Sequence, residues 1–322
     1  MTRSRILAAL AVVVLIALVL PEQAHAWTPG THIYLGESVL QNLRWLPLSI
    51  ADLLRAFPCD FLYGNIAADT SVAKKYAPVG RHSHAWHVGQ EVHDLAGTPA
   101  LRAFSLGYLC HLAADTVAHN YYVPHQLMLT SSTSGMGHSY WESRIETVVG
   151  DKFARAAKDL IQLDHEESDR HLDRIISPTL FSVATNRRLF RGMVHLTDTP
   201  GWQLAFQVVH ETSRWELTSP FVERHLAHAY ESMMELLAGE NAMARRLDPS
   251  GEVPLASAKR MRRLVLREAG KARRHHLATL AAEHYGLPER TLRFWERAEL
   301  EKPWRNGGND GSGGNDRGGG IR

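Results

Sequence analysis

The chain has 322 residues, 36 of them lysine or arginine and 34 aspartate or glutamate, and 44% of it is hydrophobic. It can therefore bury a sizeable core and is neither collagen-like nor disordered in composition. A formal charge of +2 excludes whole-molecule attraction to nucleic acid, and two cysteines exclude a disulfide framework.

Residues 1–26 have the form of a secretory signal: Arg3 and Arg5, an apolar run from Ile6 to Leu20, a break at Pro21, then Ala24-His25-Ala26 as a small-x-small cleavage site. The run is shorter than the roughly 20 residues that span a bilayer, so an exported chain is expected rather than an anchored one. Cleavage after Ala26 would make Trp27 the first residue, with a free α-amino group. Export would place Cys59 and Cys110 where one disulfide could persist, although two reduced, buried thiols fit the sequence equally.

From residue 27 to about residue 305 the pattern is helical. Apolar residues recur at three- and four-residue spacings in Ile33 to Leu53, Leu101 to His119, Tyr140 to Leu163 and Phe221 to Leu237. Breakers such as Pro78-Val79-Gly80, Ser134-Gly135-Met136-Gly137, Thr199-Pro200-Gly201 and Asp248-Pro249-Ser250-Gly251 separate them. An all-α, single multi-helix bundle is expected over 27–305. Residues 306–322 contain eight glycines and little that can be buried, and are expected to be a disordered tail. Within 259–274 eight of sixteen residues are Lys or Arg, a basic helix that is either a solvated face or a contact for anionic lipid or a nucleic-acid backbone.

Nineteen histidines stand out, eight of them (82, 84, 87, 93, 111, 119, 125 and 138) within 57 residues, and they make metal binding the first chemistry to consider. Four histidines have another potential ligand, a carboxylate or an imidazole, four residues on: His87/Glu91, His111/Asp115, His138/Glu142 and His165/Asp169. About three such pairs arise by chance, so one pair carries no information even though the spacing puts both side chains on one helix face. His111-Leu-Ala-Ala-Asp115-Thr-Val-Ala-His119 carries more. It sets three ligand types at i, i+4 and i+8 on an otherwise apolar, small-residue helix, where idle burial of all three would be costly. A central carboxylate there can bridge two ions, with room left beside it by the alanines.

With Trp27-Thr28-Pro29-Gly30-Thr31-His32, Gly64-Asn65-Ile66-Ala67-Ala68-Asp69, Ser83-His84, His111 to His119 and Gly137-His138-Ser139-Tyr140-Trp141-Glu142, the sequence resembles the zinc-dependent phospholipase C family over about 27–142. That family includes the catalytic domain of glycosylphosphatidylinositol-specific phospholipase D and is related in site design to the P1/S1-type single-strand nucleases. The resemblance implies three zinc ions. Asp69, His84, His111 and Asp115 would hold one; His119, His138 and Glu142 a second; Trp27, through its amine and carbonyl, with His32 and a shared Asp115, the third. His82 and His87 compete with His84 for its role. The i+8 closure matches the phospholipase D branch, and His125 is the substitute for His119 where the longer gap of the bacterial phospholipases applies. His93, His165, His171, His195, His210, His225 and His228 are expected to be structural, and His275 and His276 belong to the basic stretch.

Three zinc ions suit hydrolysis of a phospholipid or other phosphodiester by a metal-activated water, with Asp69 as the group that orients or deprotonates that water. Trp86, Tyr121, Tyr122, Tyr140 and Trp141 are candidate rim residues that would serve acyl chains or stacked bases alike. A nuclease acting on single strands and a non-catalytic exported zinc protein are the alternatives.

Overall fold

The computed structural model describes residues 27–71, 76–78, 80–130, 136–197, 199, 201, 204, 208, 211–213, 215–240, 242–268 and 273–306. The expected signal segment 1–26, His210 and nearly all of the glycine-rich tail lie outside them. Among the described residues every regular element is helical, as the periodicity predicts. None of these helices is long and apolar enough to cross a membrane.

Helix α1 (Pro29–Gln41) starts where Thr28 accepts the Thr31 N–H and Pro29 presets the first turn. The apolar pattern continues to Leu53, but the helix does not. It stops at Asn42, and Pro47 precedes a separate helix, α2 (Leu48–Ala56). Proline cannot supply the N–H that a continuous helix needs there. Helix α3 (Pro58–Ala67) leads into the turn holding Asp69. Helix α4 (Trp86–Asp94) precedes the central helix α5 (Pro99–Val117), capped by the Thr98 hydroxyl on Leu101 N–H. From Ala103 to Val117 every residue of α5 is buried, the condition of a helix packed on all sides.

Two glycines set the closest crossing. A Cβ on Gly64 of α3 would sit 2.0 Å from the Phe104 carbonyl oxygen, and one on Gly107 of α5 would sit 2.0 Å from the Phe61 carbonyl oxygen. Only hydrogen at both positions lets the two backbones meet, and that contact carries the end of α3, with Asp69, up to His111 and Asp115.

After Val117 the helix widens into a π turn, Ala118–Tyr122, and resumes as α6 (Val123–Thr130). Single π turns of this kind are often found at functional sites. Helix α7 (Met136–Val149) carries His138 and Glu142, and Gly150, at φ +99°, separates it from α8 (Asp151–Ile161) where the apolar spacing alone suggests one helix. Helices α9 (Glu166–Ile175), α10 (Val183–Thr197) and α11 (Ser219–Leu237) complete the main core, which runs from Trp27 to Trp304. A smaller core beside α6 joins α12 (Glu252–Glu268) and α13 (Arg273–Tyr285) through Met128, Ala258, Val265, Leu277 and Ala281.

The basic stretch is divided between α12 and α13, with 269–272 outside the described residues. Arg262 within it is structural, donating to the Met128 carbonyl at 2.6 Å, whereas Arg260, Arg263 and Arg267 are exposed. The two cysteines are free thiols and form no bridge, because Cys59 on the first turn of α3 faces solvent while Cys110 is buried in α5.

Candidate metal centre

Eight of the nine residues named from the sequence come together around α5: His32 from α1, Asp69 from the turn after α3, His84 from the turn before α4, His111 and Asp115 from α5, His119 from the π turn, and His138 and Glu142 from α7. The most exposed of them, His138, is 5% accessible. Among the described residues they form three groups with ligand atoms within 4.8 Å of one another: His32, His111 and Asp115; Asp69, His84 and His111; His119, His138 and Glu142.

Asp115 is the hub. His32 Nε2 lies 3.2 Å from its Oδ1, while His84 Nε2 and His111 Nε2 lie 3.0 and 3.2 Å from Oδ2. The two imidazole Nε2 atoms are 3.1 Å apart, and Asp69 Oδ1 is 3.2 Å from His84 and 3.9 Å from His111. A tetrahedral zinc with imidazole and carboxylate ligands at about 2.0–2.2 Å separates its donors by about 3.3 Å. The measured edges of the Asp69, His84, His111 and Asp115 set scatter around that value. Neither ring nitrogen of His32 and neither oxygen of Asp115 has a hydrogen-bond geometry, despite complete burial. Such groups are costly unless something positive sits between them. The donor set fits zinc.

Electrostatics agree with a ligand role. Burial, helped by neighbouring His111, lowers the His32 pKa to about 4, so its imidazole is neutral and able to ligate. Burial works to raise the Asp115 pKa, yet the surrounding imidazoles, His111 foremost, hold it well below the usual carboxylate range. Burial likewise opposes protonation of His111, but Asp115 and Asp69 outweigh it and raise its pKa.

Backbone carbonyls orient the rings. His111 Nδ1 lies 2.7 Å from the Asn65 carbonyl, and His119 Nδ1 lies 2.5 Å from the Pro249 carbonyl, which leaves Nε2 of each for an ion. Ser83 Oγ stands 3.2 Å from His84 Nδ1. In the third group His138 Nε2 and Glu142 Oε1 are 2.7 Å apart, one turn apart on α7, and the His119 ring meets that of His138 edge-on at 5.2 Å.

The competing histidines lie elsewhere. His82 Nδ1 accepts the backbone N–H of His84, and exposed His87 contacts the Gly80 carbonyl, so the ring facing Asp69 and Asp115 is that of His84. His125 packs near Phe221 and belongs to none of the three groups. His165 and His171 contact the Leu160 and Val92 carbonyls. The pair His165/Asp169 is a decoy: Asp169 accepts from Tyr63 and Arg191.

A zinc-dependent phospholipase C family model matches residues 31–187. Over this span, just under half of the chain, the protein is similar to the zinc-dependent phospholipase C family. Neither curated proteins nor solved structures give a match to the chain. The match supports a phospholipase C-like hydrolase that uses zinc, and every one of the eight clustered residues falls inside the matched span.

Trp27, the ninth residue, lies just before that span. Its side chain is buried, donates from the indole N–H to the Ala114 carbonyl at 3.0 Å and stacks on Tyr122, so it is anchored one residue from Asp115. Two candidate rim residues are core instead: Tyr122 is fully buried with its hydroxyl on the Trp141 carbonyl, and Trp141 is buried with its indole on Thr130. Trp86, Tyr121 and Tyr140 keep partly exposed rings. The carbonyl partners Asn65 and Pro249 were not identifiable as orienting groups from sequence, since any residue carries a carbonyl; the only trace was an Asp-Pro-Ser-Gly turn.

Proposed function

We propose that this chain is an exported three-zinc phosphodiester hydrolase of the phospholipase C type. The observation that carries the reading is the buried Asp115 carboxylate with three imidazole nitrogens at 3.0–3.2 Å and no hydrogen-bond geometry to any of them. Asp69, His84, His111 and Asp115 would hold one ion, and His119, His138 and Glu142 a second. His111 has one nitrogen engaged by Asn65 and the other facing His84, so it can serve only the first ion. His32 and the second oxygen of Asp115 therefore need further donors for a third. Removal of residues 1–26 would free the Trp27 amine to be one, and the anchoring of Trp27 beside Asp115 supports that use.

Zinc held there would lower the pKa of a coordinated water and neutralise charge on the phosphate oxygens and leaving alkoxide. Asp69 is the candidate general base, because one carboxylate oxygen faces His84 and the carboxylate has a second with which to accept the proton of an attacking water. The Asn65 and Pro249 carbonyls would hold ring tautomers, and burial of the ligand side chains keeps the donors in place. The catalytic unit would span 27–305, with α12 contacting lipid through Arg260, Arg263 and Arg267.

Elemental analysis of the chain beginning at Trp27 tests the metal reading, with about three zinc ions per chain expected. Parallel assays on phosphatidylcholine, phosphatidylinositol glycans and single-stranded nucleic acid test the substrate. Release of a phosphorylated headgroup is the expected result; cleavage of nucleic acid alone would replace the phospholipase reading with a nuclease.

A further inference from the structure

The segment 247–251 lies far along the chain from the family-matched region and reaches back onto the π turn at several points. Pro249 offers its carbonyl oxygen to His119 Nδ1 at 2.5 Å. Asn120 donates its side-chain amide to the Asp248 carbonyl at 2.9 Å and to the Thr116 carbonyl at 2.8 Å, tying the segment to the turn of α5 just before His119. Trp86 donates its indole N–H to the Leu247 carbonyl at 2.9 Å from the other side. Within the segment the Asp248 carboxylate accepts from Ser250 N–H and Oγ, which shapes the turn.

Gly251 shows how close the approach is. It adopts φ +60°, and a Cβ there would lie 2.4 Å from His119 Cβ and 2.8 Å from the His119 carbonyl oxygen, contacts that real side chains do not make. Gly239 is its natural control: φ is +73°, yet nothing stands within 4 Å of an added Cβ.

We infer that the 247–251 segment is a positioning clamp for the second metal group, holding His119 as the Nδ1–H tautomer with Nε2 directed at the ion shared with His138 and Glu142, and that Gly251 is its closest-packed element. A hydrogen bond to the non-ligating nitrogen fixes both tautomer and ring plane, and loss of such a partner weakens metal binding about 10–100-fold. The widened π turn matters here because it displaces His119 from regular helical register, so the helix alone does not dictate where the ring points. The clamp also means that the matched span 31–187 does not contain everything its own site requires.

This inference rests on His119 being a zinc ligand, and the test separates the two. Nitrogen-15 spectra of the zinc-free protein, with the His119 signal assigned by a His119→Gln variant, read the tautomer without any metal; Nδ1–H is expected, and Nε2–H would overturn the clamp. Zinc titrations against a competing chelator then compare wild type, Gly251→Ala and Gly239→Ala. Both variants bear the left-handed backbone cost of alanine, but only Gly251→Ala should weaken one zinc ion about 10–100-fold. Equal zinc affinity in the two variants would sink the proposal. Should Gly251→Ala lose its helical circular dichroism, Asn120→Ala takes its place: weaker binding of one ion supports the clamp and unchanged binding refutes it. If His119→Gln leaves zinc content untouched while the tautomer is as expected, the ligand role fails and the carbonyl contact stands.

Discussion

Replacing Asp115 by asparagine perturbs the hub of the site while hardly changing volume. Oδ1 faces His32 and Oδ2 faces His84 and His111, so the amide can keep an oxygen toward one side only; the other side receives an NH2 group with no lone pair for a metal. Four-ligand zinc sites bind with about 10–16 kcal/mol, roughly 2.5–4 kcal/mol per donor, so removing one donor should weaken that ion about 60- to 700-fold. The remaining ion loses a negative charge and weakens as well. Elemental analysis after dialysis against a chelator should show loss of more than one zinc relative to wild type. Asp169→Asn is the matched control: that buried acid also follows a histidine by four residues but accepts from Tyr63 and Arg191, and the variant should keep its zinc while losing stability. Full zinc occupancy in Asp115→Asn, or equal loss in the two variants, would refute the bridging role.

Adding one residue before Trp27 in the processed chain should remove one zinc, because an amide nitrogen does not ligate as an amine does; elemental analysis reads it, and unchanged content excludes the terminal ligand. Gly107→Ala places a Cβ 2.0 Å from the Phe61 carbonyl, so α3 and α5 must separate; a loss of about 1–3 kcal/mol in denaturant unfolding is expected, with weaker zinc at Asp69. Glu146→Gln tests a buried acid whose pKa burial pushes up to about 7. The unfolded chain ionises this carboxyl near pH 4.5 and the folded chain only near 7, so the native state loses stability across that window as pH rises. The variant should therefore unfold later than wild type at pH 8, by about 1–3 kcal/mol, and alike at pH 4, by thermal melting. Reversing the charge of Arg260, Arg263 and Arg267 should abolish sedimentation with anionic vesicles; undiminished binding would remove α12 from any lipid contact.

The sequence was most informative where chemistry has a fixed period. The i, i+4, i+8 series marked His111, Asp115 and His119 as one group, with the first two on buried α5 and the third on the π turn that continues it, and the apolar spacing marked an all-α chain. It misjudged continuity where a helix ended inside an apolar pattern, at Asn42 and at Gly150. It also assigned Tyr122 and Trp141 to a rim, since an aromatic next to a ligand looks the same in sequence whether it faces solvent or core.

Residue order alone makes legible the inventory and its local arrangement: a bundle of helices, a cluster of imidazoles and carboxylates, and the helical stretch 111–119 that carries three of them. Local periodicity decides those, because helix faces repeat every few residues whatever the rest of the chain does. Which histidine among 82, 84 and 87 turns inward, how Gly64 and Gly107 bring Asp69 to α5, and how residues 247–251 come to hold His119 were decided only by the tertiary structure. Those depend on contacts between segments tens to more than a hundred residues apart, formed by close backbone approach and carbonyl positions that leave almost no mark on side-chain identity.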